Sequence, residues 1–298
     1  MQGMLGNQVL YHSPLVTIAD LACHTHDAEC GLDATERHRL VFTRAGAALA
    51  RRVGATGCAF VSDPVQAVFL IAGTEYRMRH HVEAPHACTV FAFASAVLPG
   101  EPGLGRPVTA KRRLIRPDVL LRYHHLRQGL LGRLDSPGST QRVEDEALAL
   151  LDGTTRCREP GGDARPFRAP SHRDLAESAK MVLASSPGSP HRLSDVAESF
   201  GVSPSHLAHV FRAVVGIPMH QYLLQIRMGI ALDRVGGGAT NLSELALDLG
   251  FVSHSHFTAA FRRYFGIAPR DVRRALAVRP VRPVRPPRPL RRAARVTT

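Results

Sequence analysis

The chain has 298 residues, a net charge of +13, 44% hydrophobic residues and five cysteines, a length that accommodates two domains. It contains no apolar run near the roughly 20 residues that span a bilayer, and its first twenty residues lack the basic start and apolar core of a secretory signal, so a soluble, cytoplasmic protein with no membrane partner is expected. The cysteines, at 23, 30, 58, 88 and 157, are odd in number and scattered, which argues against a disulfide framework. Excess positive charge attracts phosphate, but 36 arginines stand against two lysines, Lys111 and Lys180. Such a bias towards arginine makes net charge weak evidence for a nucleic-acid ligand.

Residues from about 15 to 100 read as β-structure. RLVFTRAGAALARRV, CAFV, AVFLIAG, YRMRHHV and TVFAFAS are short Val/Phe/Ala-rich segments divided by Gly, Asp-Pro or Glu-Ala-Pro turns, the rhythm of a small barrel or sandwich. Ahead of the first clear strand lies Cys23-His24-Thr25-His26, followed by Glu29 and Cys30. Alternating His24 and His26 would share one face of a strand, and imidazole with thiolate suits zinc or another borderline metal, with His86 and Cys88 as partners across a sheet. Against this, sixteen histidines make chance clusters common, and polar surface near the N-terminus explains the run equally. No nucleophile elbow, Gly-rich phosphate loop or zincin motif is present, so neither catalytic residues nor a cofactor are assigned and no metal site is expected. A metal-binding cupin enzyme fused to a helical domain is the alternative.

Two helical stretches follow, roughly Asp118 to Leu134 and Gln141 to Leu151. Leu120, Leu121, Leu126, Leu130, Leu131 and Leu134 form an apolar stripe that suits either a helix packed on its own domain or a homodimer surface. Residues 152–170, DGTTRCREPGGDARPFRAP, have no sustained period and read as a linker between a domain at 1–151 and one at 171–277.

The second domain carries one pattern twice. LSDVAESFGVSPSHLAHVFRAVVG at 193–216 is echoed by LSELALDLGFVSHSHFTAAFRRYFG at 242–266. In each copy Ser194 or Ser243 is placed to cap a short helix whose next residue is acidic. Gly201 or Gly250 ends that helix where a left-handed turn is easiest, and Ser203 or Ser253 caps the next. The second helices present Leu207, Val210, Phe211 and Val214, or Phe257, Ala260, Phe261 and Phe265, at half-buried helical spacing. Two short helices joined by a tight glycine turn form a helix-turn-helix, whose second helix can enter the DNA major groove. Between the copies, Met219 to Val235 reads as a 17-residue helix, about 26 Å of rod. That reach suits successive major grooves about 34 Å apart.

On these motifs, residues from about 171 to 277 resemble the DNA-binding domain of AraC/XylS-type transcription regulators. In that family the second unit ends in G-x-x-P and an Arg- or Tyr-rich helix, here GIAPRDVRR at 266–274. Two departures are Met219, where the first unit usually has proline, and the extra residue Val252 in the second turn. The resemblance implies an α+β chain with a cupin-like N-terminal β-barrel or sandwich, following helices and an all-α double helix-turn-helix domain. It also implies double-stranded DNA, a small-molecule effector, a homodimer and RNA polymerase as partners. Family positions that read bases map onto Ser205, Ala208 and His209, and onto His254, Ser255, His256 and Ala259 with Thr258 beside them. Arg212, Arg262 and Arg263, nearer the helix ends, suit phosphate clamping, although the Arg stems could instead cover apolar core. The tail at 278–298 holds seven arginines spaced by prolines and no acid, so it is expected to be extended and disordered, brushing DNA phosphates or idle.

Overall fold

The computed structural model describes residues 8–23, 29–32, 36–52, 59–73, 75–80, 86–94, 97, 111–132, 139–160, 170–238 and 241–276. Ten strands are found among the described residues of the N-terminal half: β1 (Gln8–His12), β2 (Val16–Cys23), β3 (Glu29–Leu32), β4 (His38–Ala45), β5 (Ala48–Arg52), β6 (Phe60–Ser62), β7 (Gln66–Leu70), β8 (Tyr76–His80), β9 (His86–Phe93) and β10 (Lys111–Leu114). Among the described residues they form two open sheets rather than one closed barrel: six strands in the order β1-β2-β9-β4-β7-β10 and four in the order β3-β8-β5-β6. Neighbouring strands run antiparallel.

Period-two alternation decides what each face of the larger sheet covers. Val41, Val68, Cys88 and Val90 share one core with Ala50, Phe60, Tyr76 and Met78 of the smaller sheet. Their neighbours Leu40, Phe42, Phe69, Phe91 and Phe93 point the other way, into a core completed by the helices. The Phe42 ring stacks on Tyr123 at 4.5 Å. Because both faces are covered, β4, β7 and β9 read as continuous apolar runs.

The Cys/His run begins at Cys23, the last residue of β2, with β1 before it, contrary to its expected place ahead of the first strand. Nor does local pattern announce β10. KRRL carries three basic residues, and its strand state comes from pairing with β7, in the register Lys111↔Phe69 to Leu114↔Gln66.

Nine helices are found among the described residues: α1 (Pro117–Leu131), α2 (Ser139–Thr155), α3 (Pro170–Ser185), α4 (Leu193–Ser199), α5 (Pro204–Val215), α6 (Met219–Gly236), α7 (Leu242–Asp248), α8 (His254–Phe265) and α9 (Pro269–Leu276). α2 runs to Thr155, so the first residues of the stretch read as a linker continue a helix. Leu120, Leu126 and Leu130 of α1, half of the stripe, are buried within this chain as core, Leu121 is partly buried against it, and Leu131 remains 37% exposed. Leu134, residues 161–169 of the linker and the arginine-rich tail lie outside the described residues.

Candidate nucleic-acid interface

The two helix pairs α4–α5 and α7–α8 are built alike at their second helices. Ser203 and Ser253 accept from the backbone N–H of His206 and His256 at 3.2 and 3.1 Å, capping α5 and α8. Gly201 and Gly250 follow the first helices at φ +65° and +73°. The first-helix caps differ from expectation. Ser194 and Ser243 lie inside α4 and α7, and Ser194 Oγ donates to Asp195. The cap positions are Arg192, which makes no side-chain cap, and Asn241, whose Oδ1 accepts from Ser243 N and Glu244 N. A leucine opens each helix, and the residue before it has the extended backbone of a cap.

Neither departure from the family pattern disturbs the architecture. Met219 begins α6 as Pro269 begins α9. Val202 and Phe251 donate to the equivalent carbonyls of Ala197 and Ala246, so the extra residue is accommodated after Phe251, where Val252 is 86% exposed.

Packing uses Leu207, Val210, Phe211 and Val215 on α5, and Phe257, Phe261 and Phe265 on α8. Val215 rather than Val214 is the fully buried residue at the end of α5. The opposite faces are open. Ser205, His209 and Arg212 on α5 are exposed to differing degrees, as are His254, Ser255, His256, Ala259, Arg262 and Arg263 on α8, while Ala208 and Thr258 are half-buried. Arg212, Arg262 and Arg263 sit in the last turns of their helices, where cations also complement the helix dipole.

The two recognition helices share a groove. A cavity of about 620 Å³ is lined by Ala208 and Arg212 from α5, His220, Leu224 and Arg227 from α6, and His256 from α8. His256 is steadied by an edge contact to the Phe251 ring at 5.4 Å. Sequence reasoning missed His220 and Arg227, because a helix read as a spacer gives no sign of which side faces a groove.

The opposite side of α6 is held by the β-region. Tyr222, Ile226, Gly229 and Asp233 recur at helical three-and-four spacing. A Cβ on Gly229 would lie 3.0 Å from Pro64 Cβ. Tyr222 Oη donates to Asp63 and accepts from Gln66 Nε2 at 2.6 Å. Beside it Glu177 of α3 accepts from Val61 N at 2.8 Å, from Lys180 Nζ at 2.7 Å and from Arg112. Burial pushes the Glu177 carboxyl up, but Arg112 and Lys180 outweigh it and hold the group down at about 2. Burial drives Asp63 above, and Lys180 below, its ordinary range.

Further along, Arg127 of α1 donates to Asp20 at 2.6 Å and to Asp233 at 3.3 Å, with Arg44 at 3.7 Å from both carboxylates. His124, buried beside them, is pushed down to about 3 by desolvation and then by Arg127 and Arg44. It is therefore neutral near pH 7.

Among the described residues no group of three or more His, Cys, Asp or Glu is placed to hold a metal ion. Cys23 on β2 pairs with His86 on β9 in the six-stranded sheet, whereas Cys30 on β3 pairs with Met78 in the other. Cys88 is buried in the core between the sheets. His24 and His26 lie outside the described residues.

Two exposed recognition helices, capped alike and joined by one rod, define the C-terminal half as a double helix-turn-helix domain. Residues 196–275 match the family model of a helix-turn-helix domain. Over 106 residues the chain is 27% identical to the Msm operon regulatory protein of Streptococcus mutans, covering 36% of this chain and 38% of that one. It is 32% identical over 100 residues to a putative AraC-like transcription regulator of Streptomyces lividans, covering 34% of this chain and 33% of that one. It is also 28% identical over 106 residues to the regulatory protein SoxS of Salmonella typhimurium, covering 36% of this chain and 99% of that one. A solved structure of ToxT from Vibrio cholerae is 10% identical, covers 89% of this chain and 99% of its own, and superposes with a TM-score of 0.35. The helical half thus matches a helix-turn-helix domain and is similar in sequence to transcription regulators, one of them AraC-like. The match spans only about a third of the Streptococcus and Streptomyces relatives. Among the described residues no helix is long and apolar enough to cross a membrane.

Proposed function

We propose that this protein is a sequence-specific DNA-binding transcription regulator in which residues 171–277 bind duplex DNA and residues 1–151 form a cupin-like sensing unit for a small-molecule effector. The observation that carries this reading is the groove bordered by both recognition helices, with Arg212 and His256 on its walls. In this reading Ser205, Ala208, His209, His254, Ser255, His256, Thr258 and Ala259 face base edges. Arg212, Arg262 and Arg263 neutralise phosphates, and the tail at 278–298 adds nonspecific affinity. RNA polymerase is the further partner that such regulation requires. The homodimer expected from the resemblance would have to use surface other than the buried α1 leucines.

The recognition helices differ in sequence, PSHLAHV against HSHFTAA, so one domain should read two unlike half-sites about one helical turn apart. No arginine stands at the base-reading positions, so discrimination relies on weaker donors such as His209, His254 and His256. Selection of duplexes from a random library by the full chain, followed by titration at several salt concentrations, tests the reading. Log affinity should fall linearly with log salt, by about 0.9 per phosphate contacted. Arg262→Ala should weaken all duplexes alike, whereas His256→Ala should weaken the selected duplex more than a scrambled one by about 1–3 kcal/mol. Failure to enrich any duplex, or a salt-independent affinity, would overturn it.

A further inference from the structure

Arg227 lies at the middle of α6, on the side away from Tyr222 and Asp233, where it lines the groove between the recognition helices. Its guanidinium donates through Nε to Pro187 O at 2.8 Å and through one terminal nitrogen to Ser189 O at 3.2 Å, both in the loop between α3 and α4. The other terminal nitrogen donates to Gly250 O at 3.3 Å, in the turn between α7 and α8. The same group lies 5.8 Å from the centre of the Phe251 ring. One planar fork therefore holds three elements: the loop that leads into the first helix-turn-helix, the rod, and the turn of the second.

The two units touch directly at this point. A Cβ on Gly188 would stand 2.1 Å from Asp248 O, and one on Gly250 would stand 2.5 Å from Gly188 O. Backbone lies on backbone, with no side chain between that could adjust the distance. The expected rod between independent units is thus incomplete as a description, because the first unit's entry loop is seated on the second unit's turn and pinned there. Pro187, Ser189 and Gly250 each offer Arg227 a carbonyl, and a charge alone would not orient three carbonyls but a fork of fixed geometry does.

Base pairs advance about 3.4 Å along the helix axis and about 34–36° around it. A pair of recognition helices locked by backbone contact cannot follow a one-base-pair change in half-site separation without breaking the lock. We infer that Arg227, seated with Gly188 and Gly250, is a positioning residue that sets the separation at which the two half-sites are read. This rests on the DNA-binding reading above and adds a spacing rule to it.

The test uses the full chain and a duplex selected from a random-sequence library by the wild-type protein. From that duplex, derivatives with one and two base pairs inserted between the two protected half-sites are made. The readout is the ratio of affinities for native and lengthened duplexes. Wild type should lose about tenfold or more on a single insertion, as for loss of specific base contacts. Arg227→Ala and Arg227→Lys should both compress that ratio to about threefold or less. Lysine keeps the charge, so its failure to rescue assigns the effect to the fork. Gly188→Ala, which forces the units apart, should compress the ratio or move the preferred separation with Arg227 intact.

Thermal melts establish which variants fold, and Arg227→Lys and Gly188→Ala carry the test if Arg227→Ala does not. A wild-type protein indifferent to insertion, or variants that keep the wild-type ratio while losing overall affinity, would overturn the inference and leave DNA binding standing. A wild-type protein that selects no duplex would overturn both.

Discussion

The two sides of α6 are held by different physics. On one, the seam with the β-region is ionic and buried: Asp63, Glu177, Lys180, Arg112 and Tyr222 at one end, Asp20, Arg44, Arg127 and Asp233 at the other. On the other, the seam between the helix-turn-helix units is made of glycine backbone under a guanidinium. A buried ionic seam is costly to desolvate and depends on protonation, while a glycine seam sets a distance that pH does not change. The β-region thus meets the DNA-binding domain through a contact that chemistry can loosen, and the two recognition helices meet through one that it cannot.

The largest expected effect comes from removing the centre of the ionic seam. Glu177→Ala leaves Lys180 and Arg112 without their shared carboxylate and Val61 N without its acceptor, so urea unfolding should show a loss of about 3–5 kcal/mol. Converting Glu177 and Lys180 together to Leu and Met should recover much of that loss, since apolar replacements of buried pairs are tolerated. A loss below about 1 kcal/mol for Glu177→Ala would mean that the seam contributes little.

The second effect separates the seams by pH. His124 is held at about 3 when folded, against an ordinary value of 6.5. Between those values the unfolded chain binds a proton that the folded chain refuses, so stability is full above pH 6.5 and falls as the pH drops. At pH 5 this amounts to about 2 kcal/mol. Glu177 adds a loss of the same sign once the pH passes below 4.5 towards 2. The loss of stability between about pH 7 and pH 5 in urea titrations should therefore be about 2 kcal/mol smaller in His124→Gln than in wild type. An equal loss in the two proteins would place the acid sensitivity elsewhere.

The glycine seam is sharpened by comparing two glycines of matching backbone. Gly201 at φ +65° has nothing within 4 Å of an added Cβ, so Gly201→Ala should cost only the left-handed penalty, about 1–2 kcal/mol. Gly250 at φ +73° adds the clash with Gly188 O, so Gly250→Ala should cost clearly more in the same chemical-denaturation assay. Equal costs would show that the turn moves freely away from the loop. Smallest is the exposed pair Arg234–Asp248, 3.0 Å apart between α6 and α7. Arg234→Ala should change stability by about 0.2–1 kcal/mol, and less in high salt.

Much of the DNA-binding half is legible in the order of its residues. The repeat, the caps Ser203 and Ser253, the left-handed Gly201 and Gly250, and the apolar stripes of α5 and α8 are local features, within reach of three- and four-residue rules. The caps of α4 and α7 lie two residues ahead of Ser194 and Ser243, because serine followed by an acid is also a good first turn, and only the backbone separates the two cases. In the β-region, short apolar runs announce strands but not their partners. β10 in particular owes its state to β7, about forty residues earlier in the chain.

What the sequence alone determined is therefore the type of the helical domain and the outward face of each recognition helix, since both follow from periodicity within a few turns of chain. Only the tertiary structure decided which side of α6 the β-region grips, that Arg227 faces the groove, and that Gly188 meets Gly250 across 62 positions of chain. Contacts at such separation depend on how whole elements pack, and a buried carboxylate or a glycine without room for a Cβ looks in sequence like any other.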